Sequence, residues 1–223
     1  MATNCPQCGG TLPCSLHDRT LRHELLADPE KEFPWHELQK TKEWAYDYNI
    51  YSITPLSDTR ALVGGDGGAI KLLDVESREL TDLGNYSNRI LSITRLSDTS
   101  ALVGGNGGVI KLLDVESREL TDLGNYGNHI LSITRLSDTS ALVGGVGGII
   151  KLLDVETGQL TDLGDYGDWI QSVTRLSDTS ALVGGDGGSA QLFEIPEHAL
   201  DRYRKSKIAP PKPPPMPGRR YPI

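Results

Sequence analysis

The chain has 223 residues, enough for one or two domains. Its formal net charge is −8, and an acidic balance argues against a general nucleic-acid coat or a binder of anionic membranes. No run of about 20 apolar residues is present, as a transmembrane helix would need, and the first ten residues lack the features of a secretory signal. We therefore expect a cytoplasmic protein that binds neither nucleic acid nor membrane.

Residues 1–49 contain all three cysteines and no repeat. Cys5, Cys8, Cys14 and His17 follow the spacing Cys-X2-Cys-X5-Cys-X2-His. Thiolates and an imidazole are the ligands of tetrahedral zinc, and four protein ligands leave no open position for catalysis. The start of this pattern resembles the first knuckle of a zinc ribbon. We therefore expect one structural zinc ion, with an unstructured N-terminus carrying reduced thiols as the alternative.

Two short helices are also predicted in this region, over residues 21–27 and residues 35–44. A disulfide is disfavoured here because the number of cysteines is odd and no secretion signal is visible.

The middle of the chain is a tandem repeat with a period of 40 residues, and its first two copies differ at seven positions. Every copy contains Gly-Gly-X-Gly-Gly, which disfavours a helix because glycine costs about 1 kcal/mol per helical position. Short β-rich segments lie between the glycine clusters. The period therefore indicates propeller blades of four short strands rather than helical repeats. The blades are expected at residues 50–89, 90–129, 130–169 and 170–209.

One copy illustrates the predicted blade. Strand A is expected at residues 90–96, strand B at 101–103, strand C at 109–115 and strand D at 119–123. The five residues 104–108 form the B–C turn, since glycine supplies the positive φ angles that a tight hairpin needs. Strand C is apolar on both faces, which suits a sheet packed between two neighbours.

The third strands carry a specific resemblance. Three copies read Ile-Lys-Leu-Leu-Asp and resemble the third strand of WD-repeat β-propellers: residues 70–74, 110–114 and 150–154. Glycines stand where that family has its Gly-His dipeptide: Gly84, Gly124 and Gly164. The resemblance covers about residues 50–200, with leucine in place of the family's tryptophan in these three copies. It implies an all-β propeller of four-stranded antiparallel blades that acts as a non-catalytic platform for protein partners.

The loops that join strand D to the next strand A are the candidate binding sites. In propellers these D–A loops share one face with the B–C turns, and several differences between copies two and three lie in these two loops. This pattern predicts a recognition face, and drift of surface turns is the alternative interpretation. The repeated tyrosines would serve packing equally well. The candidate binding residues are Tyr86, Arg89, Tyr126, Asn128, His129, Tyr166, Asp168 and Trp169.

Enzyme signatures are absent from the sequence. It contains neither Gly-X-Ser-X-Gly nor His-Glu-X-X-His, and no Gly-Lys-Ser/Thr follows the glycine-rich turns, so these are not phosphate loops. We therefore predict no catalytic activity. The alternative function is a lectin-like propeller in which repeated tyrosine, asparagine and aspartate bind one sugar per blade.

Residues 210–223 hold seven of the 13 prolines and predict a basic tail of polyproline type. Four blades also raise the question of ring closure, because an open ring exposes the apolar flank of a blade. Two chains would supply eight blades around a two-fold axis, which predicts a homodimer. The alternative is a closed four-bladed monomer in which residues 43–49 supply an outer strand beside the last blade.

Overall fold

The structure, a computed structural model, describes residues 42–195. Every regular element in this range is a β-strand, and consecutive strands build four sheets. The first sheet contains β1 (Ile50–Pro55), β2 (Arg60–Gly65), β3 (Ala69–Asp74) and β4 (Leu80–Asn85). The second contains β5 (Ile90–Arg95), β6 (Ser100–Gly105), β7 (Val109–Asp114) and β8 (Leu120–Asn125).

The third sheet contains β9 (Ile130–Arg135), β10 (Ser140–Gly145), β11 (Ile149–Asp154) and β12 (Leu160–Asp165). The fourth contains β13 (Ile170–Ser177), β14 (Ser180–Gly185) and β15 (Ala190–Glu194). Strands pair antiparallel in chain order within each sheet. The predicted all-β architecture of repeated antiparallel blades is confirmed.

Several predictions fall outside the described residues. They are the zinc ligands Cys5, Cys8, Cys14 and His17, the helix at 21–27, the basic tail, and the outer strand of the fourth blade. Of the helix predicted over residues 35–44, the structure describes only the last three residues, and these are not helical. The sequence prediction was wrong for these three residues.

The second strand of each blade is longer than predicted, because it includes the first two glycines of the glycine cluster. In the second sheet these are Gly104 and Gly105. A Cβ on Gly104 would lie 2.8 Å from the Ile133 side chain of the next sheet. A Cβ on Gly105 would lie 2.0 Å from the backbone oxygen of Arg89. Gly104 therefore permits close approach of the next sheet, and Gly105 permits close approach of the Arg89 backbone. Both belong to the strand, and the turn itself begins at Asn106.

The core lies between adjacent sheets. The first residue of strand A is fully buried in sheets two to four, and one hydrophobic cluster spans each junction between neighbouring sheets. The first strands of consecutive sheets pack against one another, β1 on β5, β5 on β9 and β9 on β13. A single sheet has no core of its own, because its faces are buried only by the adjacent sheets. Each blade therefore depends on its neighbours for a core.

Hydrogen bonds repeat at every junction between sheets. Ser52 Oγ accepts from the backbone N–H of Ile93 at 3.0 Å, and Thr54 Oγ1 donates to the backbone oxygen of Ile93 at 2.7 Å. The same serine–threonine pair recurs from β5 to Ile133 and from β9 to Val173. Each junction thus combines an apolar contact with two hydrogen bonds that fix its register.

Candidate functional site: the loop face

The D–A loops and the B–C turns lie at the same end of each sheet, and we call this end the loop face. In the second sheet β8 ends at Asn125 and β9 begins at Ile130, so the loop is four residues long. Asn125 Oδ1 accepts the backbone N–H of Gly127 at 2.8 Å, and Gly127 has a φ of 99°. In this compact turn, each remaining side chain of the loop is either buried in the core or exposed to solvent.

The three tyrosines predicted to bind a ligand are buried, with 3–5% of their surface exposed: Tyr86, Tyr126 and Tyr166. The Tyr126 hydroxyl donates to the backbone oxygen of Ile149 at 2.6 Å. The Tyr166 hydroxyl accepts from the Gly185 N–H and donates to the Ser189 oxygen. Each tyrosine therefore ties its loop to the B–C hairpin of the following sheet, which matches the packing interpretation left open above.

Burial also affects the ionisation of two of these residues, Tyr86 and Tyr126. Desolvation raises the pKa of Tyr86 to about 12, against the lowering effect of a hydrogen bond from the Gly105 backbone. Desolvation likewise raises the pKa of Tyr126. Both hydroxyls are therefore neutral at physiological pH and can donate hydrogen bonds to the backbone beneath the loop face.

A fourth tyrosine has the same role, although sequence reasoning missed it. The Tyr46 hydroxyl donates to the Ala69 oxygen at 2.6 Å, as its counterparts do in later blades. It lies 40 residues before Tyr86, so extending the repeat backwards past Ile50 would have found it. Residues 46–49 therefore contact the first sheet as the D–A loops contact the later ones. Residues 43–49 form no strand in the structure, contrary to the expectation of an outer strand there.

The loop residues that differ between blades are exposed. Arg89 is ion-paired with Asp66 in the B–C turn of the preceding blade, and its guanidinium lies 5.5 Å from the centre of the Tyr51 ring. His129 Nδ1 accepts the Gly107 N–H at 3.2 Å in the equivalent turn. Trp169 is 49% exposed. The three side chains thus occupy the same exposed position before strand A of successive blades, and those of Arg89 and His129 each contact a B–C turn.

The first blade carries a polar network at this position. Asp66 Oδ2 accepts hydrogen bonds from Asn49 and Tyr51, both at 3.1 Å, while Arg89 contacts its other oxygen. Desolvation acts to raise the pKa of Asp66, but the hydrogen bonds from these three residues outweigh it and lower the pKa. The loop face of the first blade therefore presents a carboxylate that is fixed by three hydrogen-bond donors. The second and third copies have Asn106 and Val146 at this position.

Asn128 and Asp168 cap the loop backbone beside these residues. Asn128 Oδ1 accepts the His129 N–H at 2.9 Å, and Asp168 Oδ1 accepts the Trp169 N–H at 2.7 Å. A shallow open depression of about 210 Å³ adjoins the third blade; its lining includes Tyr126, Asn128, Val146, Ile149 and Lys151. This depression is open to solvent and of low relief rather than an enclosed cavity.

A second depression lies on the opposite face, between the A–B turns of blades two and three, with a volume of about 380 Å³. Its lining includes two ion pairs, Arg95 with Asp98 and Arg135 with Asp138. Sequence reasoning did not single out this face, because the A–B turn reads Leu-Ser-Asp-Thr in all four copies. The arginines there are neutralised within their own turns.

The repeated aspartates at the end of strand C stabilise turns. Asp114 Oδ1 accepts the backbone N–H groups of Ser117 at 2.7 Å and Glu116 at 3.0 Å, and hydrogen bonding led by Ser117 lowers its pKa. Within residues 42–195, no group of three or more histidine, cysteine, aspartate or glutamate side chains is placed to hold a metal ion. No helix in this range is long and apolar enough to cross a membrane.

Comparisons with known proteins bear on the fold. No protein-family model matches the sequence, and no curated protein matches it. Among solved structures, the WD40 β-propeller domain of Doa1 is similar with a TM-score of 0.61 and 16% identity, over 70% of this chain and 54% of that one. The fold is that of WD40-type propeller blades.

Two computationally designed proteins are similar as well. Ika4 aligns with a TM-score of 0.60 and 19% identity, over 68% of this chain and 94% of Ika4. Ika8 aligns with a TM-score of 0.59 and 19% identity, over 67% of this chain and 47% of Ika8. The chain thus spans about half the length of the Doa1 domain and of Ika8.

Proposed function

We propose that this chain is a non-catalytic protein-interaction platform whose recognition surface is the loop face. One observation carries the proposal: on nearly identical blades, the exposed side chain just before strand A changes from arginine to histidine to tryptophan, at Arg89, His129 and Trp169. A change at this single exposed position is what would let a partner distinguish one blade from the next. The propeller-type fold is consistent with a platform that presents such positions side by side.

The shape and chemistry of this face favour a protein partner. Small-molecule sites are typically concave, at roughly 300–1,000 Å³ and largely enclosed, whereas the depression beside Tyr126 is shallow and about 210 Å³. Tryptophan and arginine are the residues most enriched among those that dominate binding energy at protein interfaces. Trp169 and Arg89 are therefore the expected anchors, with His129 between them.

A catalytic role is disfavoured by the repetition itself. Acid and base catalysis needs two groups at one point whose surroundings push their pKa values apart. Here equivalent groups recur on separate blades, and Asp114 and its counterparts are engaged in turns. The cytoplasmic location and the structural zinc remain predictions.

The test compares two triple variants in capture experiments with immobilised full-length protein. The first replaces Arg89, His129 and Trp169 by alanine on the loop face. The second is a matched control with one exposed glutamate per blade replaced on the opposite face: Glu76, Glu116 and Glu156. We expect proteins retained by the wild type to be lost from the loop-face variant and kept by the control.

Equal capture by both variants would contradict the proposal. A glycan array provides the second arm, because sugar binding abolished by the same loop-face variant would favour the lectin-like alternative instead.

A further inference from the structure

The first and last sheets each have an exposed apolar face, and the equivalent faces of the two middle sheets are buried. Ile53 on β1 is 63% exposed, whereas its counterpart Ile93 is 5% exposed. On the last sheet, Leu182 is 38% exposed and its counterpart Leu142 only 1%. We call the exposed side of β1, with Ile50 and Ile53, the leading face, and the exposed side of the last sheet, with Leu182, Gly184 and Leu192, the trailing face.

The glycines of the second strands show that these two faces are halves of one interface. A Cβ on Gly64, Gly104 or Gly144 would lie 2.6–2.8 Å from a branched side chain at the start of the next sheet. The equivalent Gly184 has only the Ser189 oxygen nearby, at 3.8 Å. The trailing face therefore keeps the glycine that accommodates an isoleucine, and within the described residues no isoleucine occupies it.

The hydrogen-bonding groups of the junction are also present on the trailing face. Ser172 and Thr174 correspond to the serine and threonine that bond the next sheet at the three internal junctions. Both are exposed, while their counterparts in the first three sheets are half-buried. Neither side chain has a hydrogen-bond partner among residues 42–195. On the leading face, Ile53 is the residue whose backbone would complete this pair of bonds.

We infer that the leading face of one copy docks on the trailing face of a second copy, and that two such contacts close a ring of eight blades from two chains. This contact would be the fourth use of an interface that the chain already forms three times internally. The first strand β1 does not pack against β13 in the way that β5 packs against β9, so the described residues of one copy leave both faces open. Two copies related by a two-fold axis leave neither face uncovered. The inference is independent of the proposed recognition surface.

The first measurement is the mass of the full-length protein in solution, by light scattering after gel filtration over a range of concentrations. We expect twice the 24.2 kDa mass of one chain. A single-chain mass at every concentration would overturn the inference, as would a mass that rises beyond two chains with concentration.

The decisive variant is Gly184→Val. The added Cβ makes only an ordinary contact in a single copy, 3.8 Å from the Ser189 backbone oxygen. Valine also suits a strand, so the fold should survive with an unchanged far-UV circular dichroism spectrum. The added valine side chain would collide with Ile53 of the second copy, so we expect this variant to have the mass of a single chain. A Gly184→Val protein that folds and keeps the two-chain mass would overturn the inference.

Two further variants separate assembly from folding. Gly144→Val makes the same change at an internal junction, where the Cβ would lie 2.6 Å from Ile170, and should destabilise the fold itself. Ile53→Glu places a charge on the leading face, at a side chain that is exposed in a single copy, and should also give a single-chain mass. Mixing Ile53→Glu with Gly184→Val restores one intact contact, so two-chain species should reappear at high concentration. Their absence from the mixture would contradict pairing of unlike faces.

Discussion

Tyrosine hydroxyls position the loop face from below. Four tyrosines at 40-residue intervals bond backbone groups of the following glycine hairpin: Tyr46, Tyr86, Tyr126 and Tyr166. A buried donor or acceptor that loses its partner costs about 1–3 kcal/mol, more than the net gain of a typical hydrogen bond. The exposed residues of each loop therefore depend on a buried neighbour for their position.

Replacement of Tyr126 by phenylalanine should destabilise the protein. The change removes only the hydroxyl and leaves the Ile149 oxygen without its donor, so we expect a loss of about 1–2 kcal/mol in the free energy of unfolding. Urea titration followed by circular dichroism measures it. Tyr48→Phe is the matched control, because Tyr48 is 58% exposed. An equal effect in both variants would show that the Tyr126 hydroxyl contributes nothing specific.

Alkaline pH should destabilise the fold over a defined range. An unfolded tyrosine has a pKa of about 10, while burial raises that of Tyr86 to about 12. The folded state thus binds this proton more tightly. Its contribution to stability is complete below about pH 10 and is lost as the pH rises from about 10 to about 12.

The free energy of unfolding measured at pH 8, 9, 10 and 11 tests this expectation, with tyrosine absorbance at 295 nm reporting ionisation. In Tyr86→Phe the decline above pH 10 should be shallower than in the wild type. Identical pH dependence of the two proteins would contradict the assignment.

Among the structural elements, the turn between strands C and D differs in sequence between copies at a residue with a positive φ angle. Arg118 has a φ of 61°, and the third copy has Gly158 at the same position with a φ of 71°. The left-handed region costs a non-glycine residue about 1–2 kcal/mol. This difference between copies thus has a backbone explanation and needs no ligand.

Arg118→Gly should stabilise the protein. Relief of the left-handed strain exceeds the conformational entropy that glycine adds to the unfolded chain, about 0.5–1 kcal/mol, so we expect a net gain of about 0.5–1 kcal/mol. Thermal and urea unfolding measure it. Glu116→Gly, in the same turn without a positive φ, should destabilise by a similar amount. If both variants lose stability, the strain at Arg118 is negligible.

At the scale of the whole molecule, the repeat region and the N-terminal cysteines are expected to behave independently. The sheets derive their core from one another, and no described residue of the blades is part of a metal-binding group. Loss of a metal ion near the N-terminus should therefore leave the blade fold intact.

Zinc content provides the test at this scale. Elemental analysis of the untagged protein should find about one zinc ion per chain, and Cys8→Ser should remove most of it without changing the β-sheet signal. Ser15→Ala, within the same segment, should retain the metal. Protein produced with zinc in the medium but containing none would refute the prediction for Cys5, Cys8, Cys14 and His17.

Fold class and the blade repeat could be predicted from the amino-acid sequence alone. Period, strand patterning and glycine content are properties of local sequence, and in the second copy they predicted strands close to β5–β8. The same local reasoning ended strand B too early, because Gly104 is required by close approach of the next sheet rather than by a turn. It also left the tyrosines among the binding candidates, since burial depends on what packs above a residue.

Which surfaces are exposed depends on how the sheets pack against one another, and no sequence pattern predicted it. Ile53 and Ile93 have nearly the same sequence neighbours, as do Gly144 and Gly184, so no local pattern distinguishes the members of either pair. Their environments differ because one member of each pair has an adjacent sheet and the other does not. Exposure at the two ends is a property of the blade's position among the sheets, and nearly identical sequence therefore forms a core in the middle of the chain and an exposed apolar face at its ends.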